Sequence, residues 1–247
     1  MHYRISIHRT AELSLKGQFA FDGYDPEGAY PYAMFVYLIR APGRQPILVD
    51  TGPRSIEEIN RGITGLVLEP VTQRPGESIE SILRREEVDA AEISHVFFTH
   101  LHYDHVSNVH LFPNARIVVS EAGWEDALAR GGGAAPGEVF FAMRDEWSSR
   151  VIPAADGQEV LPGIVTLHFG GHTSCSMGIA VETIKGRAII TGDVVSLYAN
   201  LEMDIPIGVY EDREQVMAAM ARIRRESDII IPSHDPLVLE RWPNGIG

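Results

Sequence analysis

The chain has 247 residues, a length that suits one large α/β domain, and its 45% apolar content is enough to build a sizeable core. Its formal net charge of −13, from 34 acidic against 21 basic residues, argues against a nucleic-acid partner because a phosphate backbone would be repelled. The single cysteine, Cys175, excludes a disulfide within the chain and a cysteine-based zinc site.

The beginning of the chain carries no signal-peptide pattern, because Met1 to Ile5 run directly into strand-like sequence. The longest apolar runs are also far shorter than a segment that spans a bilayer. We therefore expect a cytoplasmic protein that makes no contact with a membrane.

Alternating apolar residues at 3–8 and 33–39 predict the first two strands, and the Gly/Pro/Tyr-rich stretch from 23 to 31 predicts a loop between them. A short apolar run at 46–50 predicts a third strand. Apolar runs predict the later strands, at 93–98, 115–120, 164–169, 178–183, 187–193 and 229–231. Helical spacing of apolar residues predicts helices at 77–87, 121–130, 138–149 and 212–226. Strands mixed with helices in this way indicate an α/β fold.

Aspartate or histidine repeatedly follows a predicted strand. Such residues stand at Asp50, in the segment 100–105, and at His172, Asp193 and His234. Strands are rigid, and the loops that follow them can converge at one edge of a sheet. The sequence therefore predicts one site that is assembled from distant parts of the chain.

The densest signal is the segment Thr99-His100-Leu101-His102-Tyr103-Asp104-His105. Imidazole and carboxylate groups are the usual protein ligands of zinc and related metals. In an extended stretch His100 and His102 point to the same side, which suits two ligands of one metal. Asp104 and His105 follow where the chain turns, and they can reach a second metal. Burying these groups without a cation would be costly, so we expect a metal here.

Three later motifs add one ligand each. His172 follows the glycine pair 170–171, Asp193 follows a buried strand, and His234 follows another and precedes Asp235. Each motif alone is weak, and their order after the first cluster is what gives them weight. The remaining histidines are interpreted as hydrogen-bonded core residues or as surface residues, namely His2, His8, His95, His110 and His168.

The pattern His-x-His-x-Asp-His, followed by His, Asp and His, resembles the metallo-β-lactamase superfamily from Asp50 to His234. The resemblance implies an αββα sandwich, in which two mixed β-sheets pack face to face, helices flank them and metals bind at one edge. We expect residues 1–247 to form a single domain of this kind, with a substrate-pocket insert at 121–153.

The resemblance also implies how two divalent metal ions per chain share their ligands. One ion is expected on His100, His102 and His172, the other on Asp104, His105 and His234, with Asp193 bridging both. Zinc is the default for these ligands, and manganese, iron and cobalt suit the same geometry. Asp50 is expected to be buried and to orient the metal loop. For Asp235 two alternatives remain open, a similar orienting role and an ordinary surface position.

Within the superfamily, the pattern is most similar to the N-acyl-homoserine lactonase branch. The similarity lies in the length, in the strands leading to Leu48-Val49-Asp50-Thr51-Gly52, and in the ligand set. That branch carries a tyrosine three residues after the bridging aspartate, where it contacts the substrate carbonyl. This chain has Ser196 at that position, and its nearest tyrosine is Tyr198.

We therefore expect a hydrolase in which a metal-bridging hydroxide attacks a carbonyl group and opens a lactone or similar cyclic ester. Amide, lactam or thioester hydrolysis is the alternative on the same fold, of a glyoxalase II-like or β-lactamase-like kind. A non-catalytic metal-binding sensor or interaction protein is the alternative of another class. The expected partner is a small-molecule substrate, and the branch implies a homodimer.

Three residues are candidate catalytic groups. Asp104 is one of them, and Tyr103 and Tyr198 are candidates for hydrogen-bonding the developing oxyanion or the leaving group. The substrate pocket is expected to come from variable segments, at 18–31, 54–75 and 121–153. The last segment holds apolar side chains that either line the pocket or pack the insert onto the body, namely Phe140, Phe141, Met143 and Trp147.

Overall fold

The computed structural model describes residues 1–129 and 148–247. Its first sheet contains β1 (Arg4–Lys16), β2 (Ala29–Arg40), β3 (Ile47–Val49), β4 (Val67–Thr72), β5 (His95–Phe97), β6 (Arg116–Ser120) and β7 (Val151–Ala154). The spatial order is β4-β1-β2-β3-β5-β6-β7. The pairs from β4 to β3 are antiparallel, and those from β3 to β7 are parallel, so the sheet is mixed.

The second sheet contains β8 (Glu159–Leu161), β9 (Ile164–His168), β10 (Met177–Thr183), β11 (Gly186–Ile190) and β12 (Ile229–Ile231). Its spatial order is β12-β11-β10-β9-β8. Only β11 and β12 pair in parallel, so this sheet is mixed as well. Both strands of that parallel pair end at the same edge, which places the residues that follow them side by side.

Helices flank the two sheets. They are α1 (Gly17–Ala20), α2 (Ile56–Ile63), α3 (Ile79–Arg85), α4 (Tyr103–Val106), α5 (Glu121–Ala129), α6 (Tyr198–Met203), α7 (Arg213–Glu226) and α8 (Leu237–Arg241). Of these, α3 and α5 lie on the outer face of the first sheet, and α7 lies on the outer face of the second. The longest, α7, begins after Asp212, whose side chain accepts a hydrogen bond from the backbone N–H of Gln215. No helix in the described ranges is long and apolar enough to cross a bilayer.

The apolar core has three layers. On β2, Ala33, Phe35 and Tyr37 pack between the two sheets, whereas Val36 and Leu38 face the helices on the opposite side. This is the alternation that a strand buried on both faces requires. A third apolar cluster lies between the second sheet and α7. The expected αββα sandwich of two mixed sheets is therefore confirmed.

The structure differs from the sequence prediction in several elements. The segment 54–75 contains α2 and β4, which the sequence pattern did not indicate. Strand β4 lies at the edge of its sheet and includes the exposed residues Glu69 and Pro70, so it lacks the apolar pattern of a central strand. The predicted strand 187–193 ends at Ile190, before a short 3-10 turn. Most of the insert 121–153, including the predicted helix 138–149, lies outside the described residues.

Candidate metal centre

The predicted ligands come together at one edge of the sandwich. They follow β5 and enter α4, or they follow β9, β11 and β12. Two groups of side chains could each hold a metal ion, with ligand atoms within 4.8 Å of one another in each group. The first group is His100, His102, His172 and Asp193, and the second is Asp104, His105 and His234. Every residue that the sequence predicted as a ligand is in one of these groups.

In the first group, three imidazole rings face a common point. Nε2 of His100 lies 2.9 Å from Nδ1 of His102, and Nε2 of His172 lies 3.1 Å from the same Nδ1. Nδ1 of His172 donates a hydrogen bond to the carbonyl of Val209 at 2.7 Å, which turns the Nε2 of this ring towards the same point. A single proton cannot form hydrogen bonds with three facing nitrogens at once, whereas a metal ion can bind all three.

In the second group, two further rings are oriented in the same way. Nδ1 of His234 donates to the carbonyl of Ala33 at 2.9 Å, and Nδ1 of His105 donates to the carboxylate of Asp50 at 2.8 Å. Nε2 of His105 lies 3.3 Å from the carboxylate of Asp104. Within the described part of the chain, this buried Nε2 has no hydrogen-bond partner. A buried imidazole nitrogen without a hydrogen-bond partner at this position fits a metal ligand.

Asp193 lies between the two groups. One carboxylate oxygen is 3.5 Å from Nε2 of His105, and the other is 3.8 Å from Nε2 of His100 and 3.6 Å from that of His172. Both of its oxygens lie 3.1 Å from Nε2 of His234. A carboxylate that faces both groups in this way is suited to bridge them.

The protonation states also fit cation binding. Burial lowers the pKa of His100 well below its ordinary value and lowers that of His102 to about 4, so both rings are neutral near pH 7. Burial alone would raise the pKa of Asp104, but the nearby His105 and His234 outweigh it and lower the pKa to about 2. A metal ion needs such deprotonated donors.

The electrostatic potential inside the second ligand group favours a positive charge. Burial alone would lower the pKa of His105, but Asp104, Asp50 and Asp193 together raise it well above its ordinary value. The same carboxylates would stabilise a divalent cation at this place. The donor set therefore fits the metals that the sequence pattern implies.

Asp50 orients the metal loop, as the resemblance implies. It is 2% exposed, and its carboxylate accepts hydrogen bonds from the backbone N–H and the hydroxyl of Thr99, both at 2.9 Å, besides that from His105. Its backbone is left-handed, with φ of 57°, a conformation that aspartate and asparagine tolerate better than most residues. Asp235 differs, because its carboxylate accepts from the backbone N–H groups of Tyr198 and Leu237 and so holds the chain after His234.

Replacing Asp50 with asparagine is expected to weaken metal binding by about 10- to 100-fold, because the amide cannot accept from both His105 and Thr99 as the carboxylate does. The left-handed backbone is retained, so the fold should survive. Competition with a chromophoric chelator would measure the metal affinity. Asp235→Asn is the matched control, since that carboxylate accepts from the backbone N–H groups of Tyr198 and Leu237 and from no histidine among the described residues. An equal loss in both variants would contradict the orienting role of Asp50.

A cavity of about 530 Å³ opens above the two groups. Its floor contains ligands from both, among them His102, Asp104 and Asp193. Most of its walls are apolar and come from β1, α1, β2, α2 with the turn after it, and the chain before α7. The apolar residues are Leu13, Leu15, Phe19, Met34, Ile59, Ile63, Leu66, Ile207 and Val209. A small polar site beneath an apolar wall is typical of a pocket for a small molecule.

The pocket only partly follows the predicted segments. Segment 54–75 supplies a wall through α2, and segment 18–31 supplies Phe19. The contributions of β1, β2 and residues 207–209 were missed, although the alternation of Tyr32 and Met34 on β2 placed them on one face. Alternation identifies a face without showing what that face meets. The predicted pocket residues Phe140, Phe141, Met143 and Trp147 lie outside the described residues.

Tyr103 lines the pocket, but its hydroxyl already has partners. It donates to the carboxylate of Glu58 and accepts from the backbone N–H of Ser55 at 3.0 Å. Glu58 is on α2 and also lines the pocket. The ring of Tyr103 is therefore part of the wall, and its donor is used within the protein.

Tyr198 does not reach the pocket, which corrects the expectation that it contacts the substrate. Its hydroxyl donates to the carbonyl of Ile230 at 3.1 Å, and the Arg241 guanidinium lies 3.7 Å from its ring centroid. The reason is local, because α6 begins at Tyr198 and the side chain turns back into the core between the sheets.

Comparison with known proteins agrees with this geometry. A family model described as the metallo-beta-lactamase superfamily matches residues 30–234. An N-acyl homoserine lactonase from Bacillus sp is 28% identical over 203 residues, which cover 77% of this chain and 76% of the relative. Metallo-beta-lactamase domain-containing protein 1 from Xenopus laevis is 29% identical over 163 residues, covering 65% of this chain and 61% of that protein.

A solved structure has the same fold. It is an N-acyl homoserine lactone hydrolase with its product, N-hexanoyl-L-homoserine, bound at the catalytic metal center. It matches with a TM-score of 0.83 over 100% of both chains, at 22% identity. With a family match that spans both ligand groups, the chain belongs to the metallo-β-lactamase superfamily and is a hydrolase of that family.

Proposed function

We propose that this hydrolase uses two metal ions to open a lactone or similar cyclic ester. The observation that carries the proposal is the position of Asp193, whose two oxygens face both ligand groups at the floor of an apolar pocket. When bound, the two ions supply a hydroxide nucleophile near neutral pH and polarise the substrate carbonyl. Zinc is the ion that we propose from the His/Asp ligand set.

The protein groups position the reactants around this chemistry. In the net reaction the oxygen of water bonds to the carbonyl carbon, the ring C–O bond breaks, and the ring oxygen leaves as a hydroxyl group. Asp104 lies at the pocket floor, and we assign it a proton-transfer role, from the attacking water to the leaving oxygen. The second proton leaves as the new carboxylic acid ionises.

The substrate assignment is supported by the pocket walls and by the relatives. An apolar wall beside a polar floor fits a molecule with an acyl chain next to its ester ring, and each buried methylene contributes about 0.8 kcal/mol. The Bacillus relative is an N-acyl homoserine lactonase, and the solved neighbour holds N-hexanoyl-L-homoserine. N-acyl homoserine lactones are therefore the first substrates to test.

Purified protein should contain about two metal ions per chain by elemental analysis, and it should open N-hexanoyl-homoserine lactone. A panel with a β-lactam, a thioester, a cyclic amide and a lactone without an acylamino group separates this proposal from hydrolysis of other bonds. Removal of metal with a chelator should abolish activity, and added zinc should restore it. Preference for the thioester or the lactam would overturn the lactone assignment, and tight metal binding without turnover of any compound would favour a sensor.

A further inference from the structure

One charged side chain interrupts the apolar wall of the pocket. Glu58 lies in the first turn of α2 and lines the cavity together with Ile59, Gly62 and Ile63, which share its face of the helix. Among the described residues, it is the only charged side chain in the lining that does not belong to a candidate ligand group, and no lysine or arginine is there. A substrate chain along this wall therefore meets a negative charge and no positive one.

Two neighbouring residues fix the position of the Glu58 carboxylate. The hydroxyl of Tyr103, which follows the candidate ligand His102 in the chain, donates to Oε2 of Glu58. The same hydroxyl accepts from the backbone N–H of Ser55 at 3.0 Å, and the Ser55 side chain caps α2 by accepting from the backbone N–H of Glu58 at 3.2 Å. Glu58 is therefore held against the segment that carries the first candidate metal ligands.

The second carboxylate oxygen of Glu58 is available to a ligand. Tyr103 donates to Oε2, and Oε1 makes no hydrogen bond with the described residues. The Arg54 guanidinium is 3.8 Å from Oε2, and the two side chains are 44% and 43% exposed, so this pair neutralises little of the charge. The hydrogen bond from Tyr103 lowers the pKa of Glu58 below its ordinary value, so the carboxylate is ionised near pH 7.

We propose that Glu58 determines substrate specificity by charge: it favours a lactone whose side chain carries a hydrogen-bond donor, a cationic one above all, and it disfavours a side chain with a carboxylate. A donor that lies along α2 can reach Oε1, and a charged donor makes the stronger bond. A carboxylate at the same place would lose part of its hydration and face a charge of its own sign. This inference rests on the lactone-opening function proposed above, and it names the class of side chain that the pocket accepts.

The test uses the metal-loaded protein and homoserine lactones with three acyl chains of similar length. The chains are 6-aminohexanoyl, 5-carboxypentanoyl and hexanoyl, and the hexanoyl compound corrects for any general change in activity. The wild-type protein should have a higher kcat/KM for the amino chain than for the carboxylate chain. Glu58→Gln is expected to lower the ratio of these two kcat/KM values about 10-fold, about 3-fold from each chain, because water screens a half-exposed charge. Glutamine keeps an oxygen that accepts from Tyr103.

Glu57→Gln is the matched control for this comparison. It removes a carboxylate of the same sign from the same turn of α2, but Glu57 does not line the pocket. The ratio of the two kcat/KM values should therefore stay within about 2-fold of the wild-type ratio. Glu58→Asp keeps the charge and should keep the preference for the amino chain. Added salt should lower the ratio more in the wild type than in Glu58→Gln, because only the charged side chain is screened.

Binding of the ring-opened products gives a second readout that does not depend on turnover. By calorimetry, the product with the amino chain should bind about 3-fold more weakly to Glu58→Gln than to the wild type. The product with the carboxylate chain should bind about 3-fold more tightly to the same variant, because the repulsion is removed. A change of opposite sign for the two products separates a charge effect from a general distortion of the wall.

Three outcomes would overturn this proposal alone while the wild type still opens lactones. They are an unchanged ratio in Glu58→Gln, an equal change in Glu57→Gln, and loss of the preference for the amino chain in Glu58→Asp. If the wild-type protein opens none of the three lactones and binds none of their products, the proposed function fails, and this inference fails with it.

Discussion

Replacing Asp193 with alanine is expected to lower kcat by about three orders of magnitude or more, because metal and bridging-ligand chemistry supplies several kcal/mol of transition-state stabilisation. Its carboxylate is the group whose oxygens lie between the two ligand sets, 3.5 Å from Nε2 of His105 and 3.8 Å from that of His100. Without it, two neighbouring cations would repel each other with no bridging carboxylate to offset the repulsion. Metal content should therefore fall from about two ions per chain to one.

Elemental analysis and steady-state kinetics would check both parts of this prediction. Asp156→Ala is a suitable control, because that carboxylate is 52% exposed and pairs with Arg222 at 2.8 Å. It is absent from the pocket lining, so its removal should leave metal content and kcat unchanged. An Asp193→Ala protein with two ions and wild-type kcat would rule out the bridging role.

Replacing Gly171 with alanine is expected to lower the free energy of unfolding by about 3 kcal/mol, from backbone strain together with steric overlap. Its φ is 80°, and an added Cβ would lie 2.7 Å from the backbone nitrogen of Val216 in α7. The carbonyl of Gly171 also accepts from the backbone N–H groups of Glu211 and Asp212, at 2.7 and 2.9 Å. The loop that carries His172 therefore packs directly against the start of α7. It cannot move without breaking these backbone hydrogen bonds.

Chemical denaturation of the metal-free protein would measure this loss, and metal titration would show whether the first ligand group is weakened too. Gly43→Ala separates the two causes, because Gly43 has a similar φ of 69° but open space where its Cβ would lie. That control should lose about 1 kcal/mol, from backbone strain alone. Equal losses in the two variants would mean that contact with α7 does not constrain the loop.

The two candidate ligand groups were predictable because their signal is local. The segment from His100 to His105 holds its ligands close together in sequence, and the later ligands each follow a strand with a strong apolar pattern. A loop after a buried strand must emerge at a sheet edge, so the apolar pattern also indicated where these residues would meet. The residues themselves indicated an α/β fold and a site at one sheet edge, and the resemblance to the metallo-β-lactamase superfamily that these motifs carry implied the αββα sandwich and the membership of the two ligand groups.

The hydrogen bonds that orient the candidate ligands were not predictable in the same way. Nδ1 of His234 donates to the carbonyl of Ala33, a residue 201 positions earlier in the chain. Nothing in the residues around Ala33 marks it as the partner of a ligand, because any residue has a backbone carbonyl. Only the packing of β2 beside the end of β12 decides which carbonyl the histidine meets.

The candidate tyrosines show where sequence reasoning ends for this protein. The sequence alone determined the order of the candidate metal motifs and the presence of Ser196 three residues after Asp193, and the family resemblance implied the ligand sets. The tertiary structure decided that Tyr198 points into the core and that Tyr32 stacks on the ring of His234 at the pocket. The physical reason is that side-chain direction follows from the start of a helix or the face of a strand, whereas proximity to a distant residue follows from how sheets and helices pack.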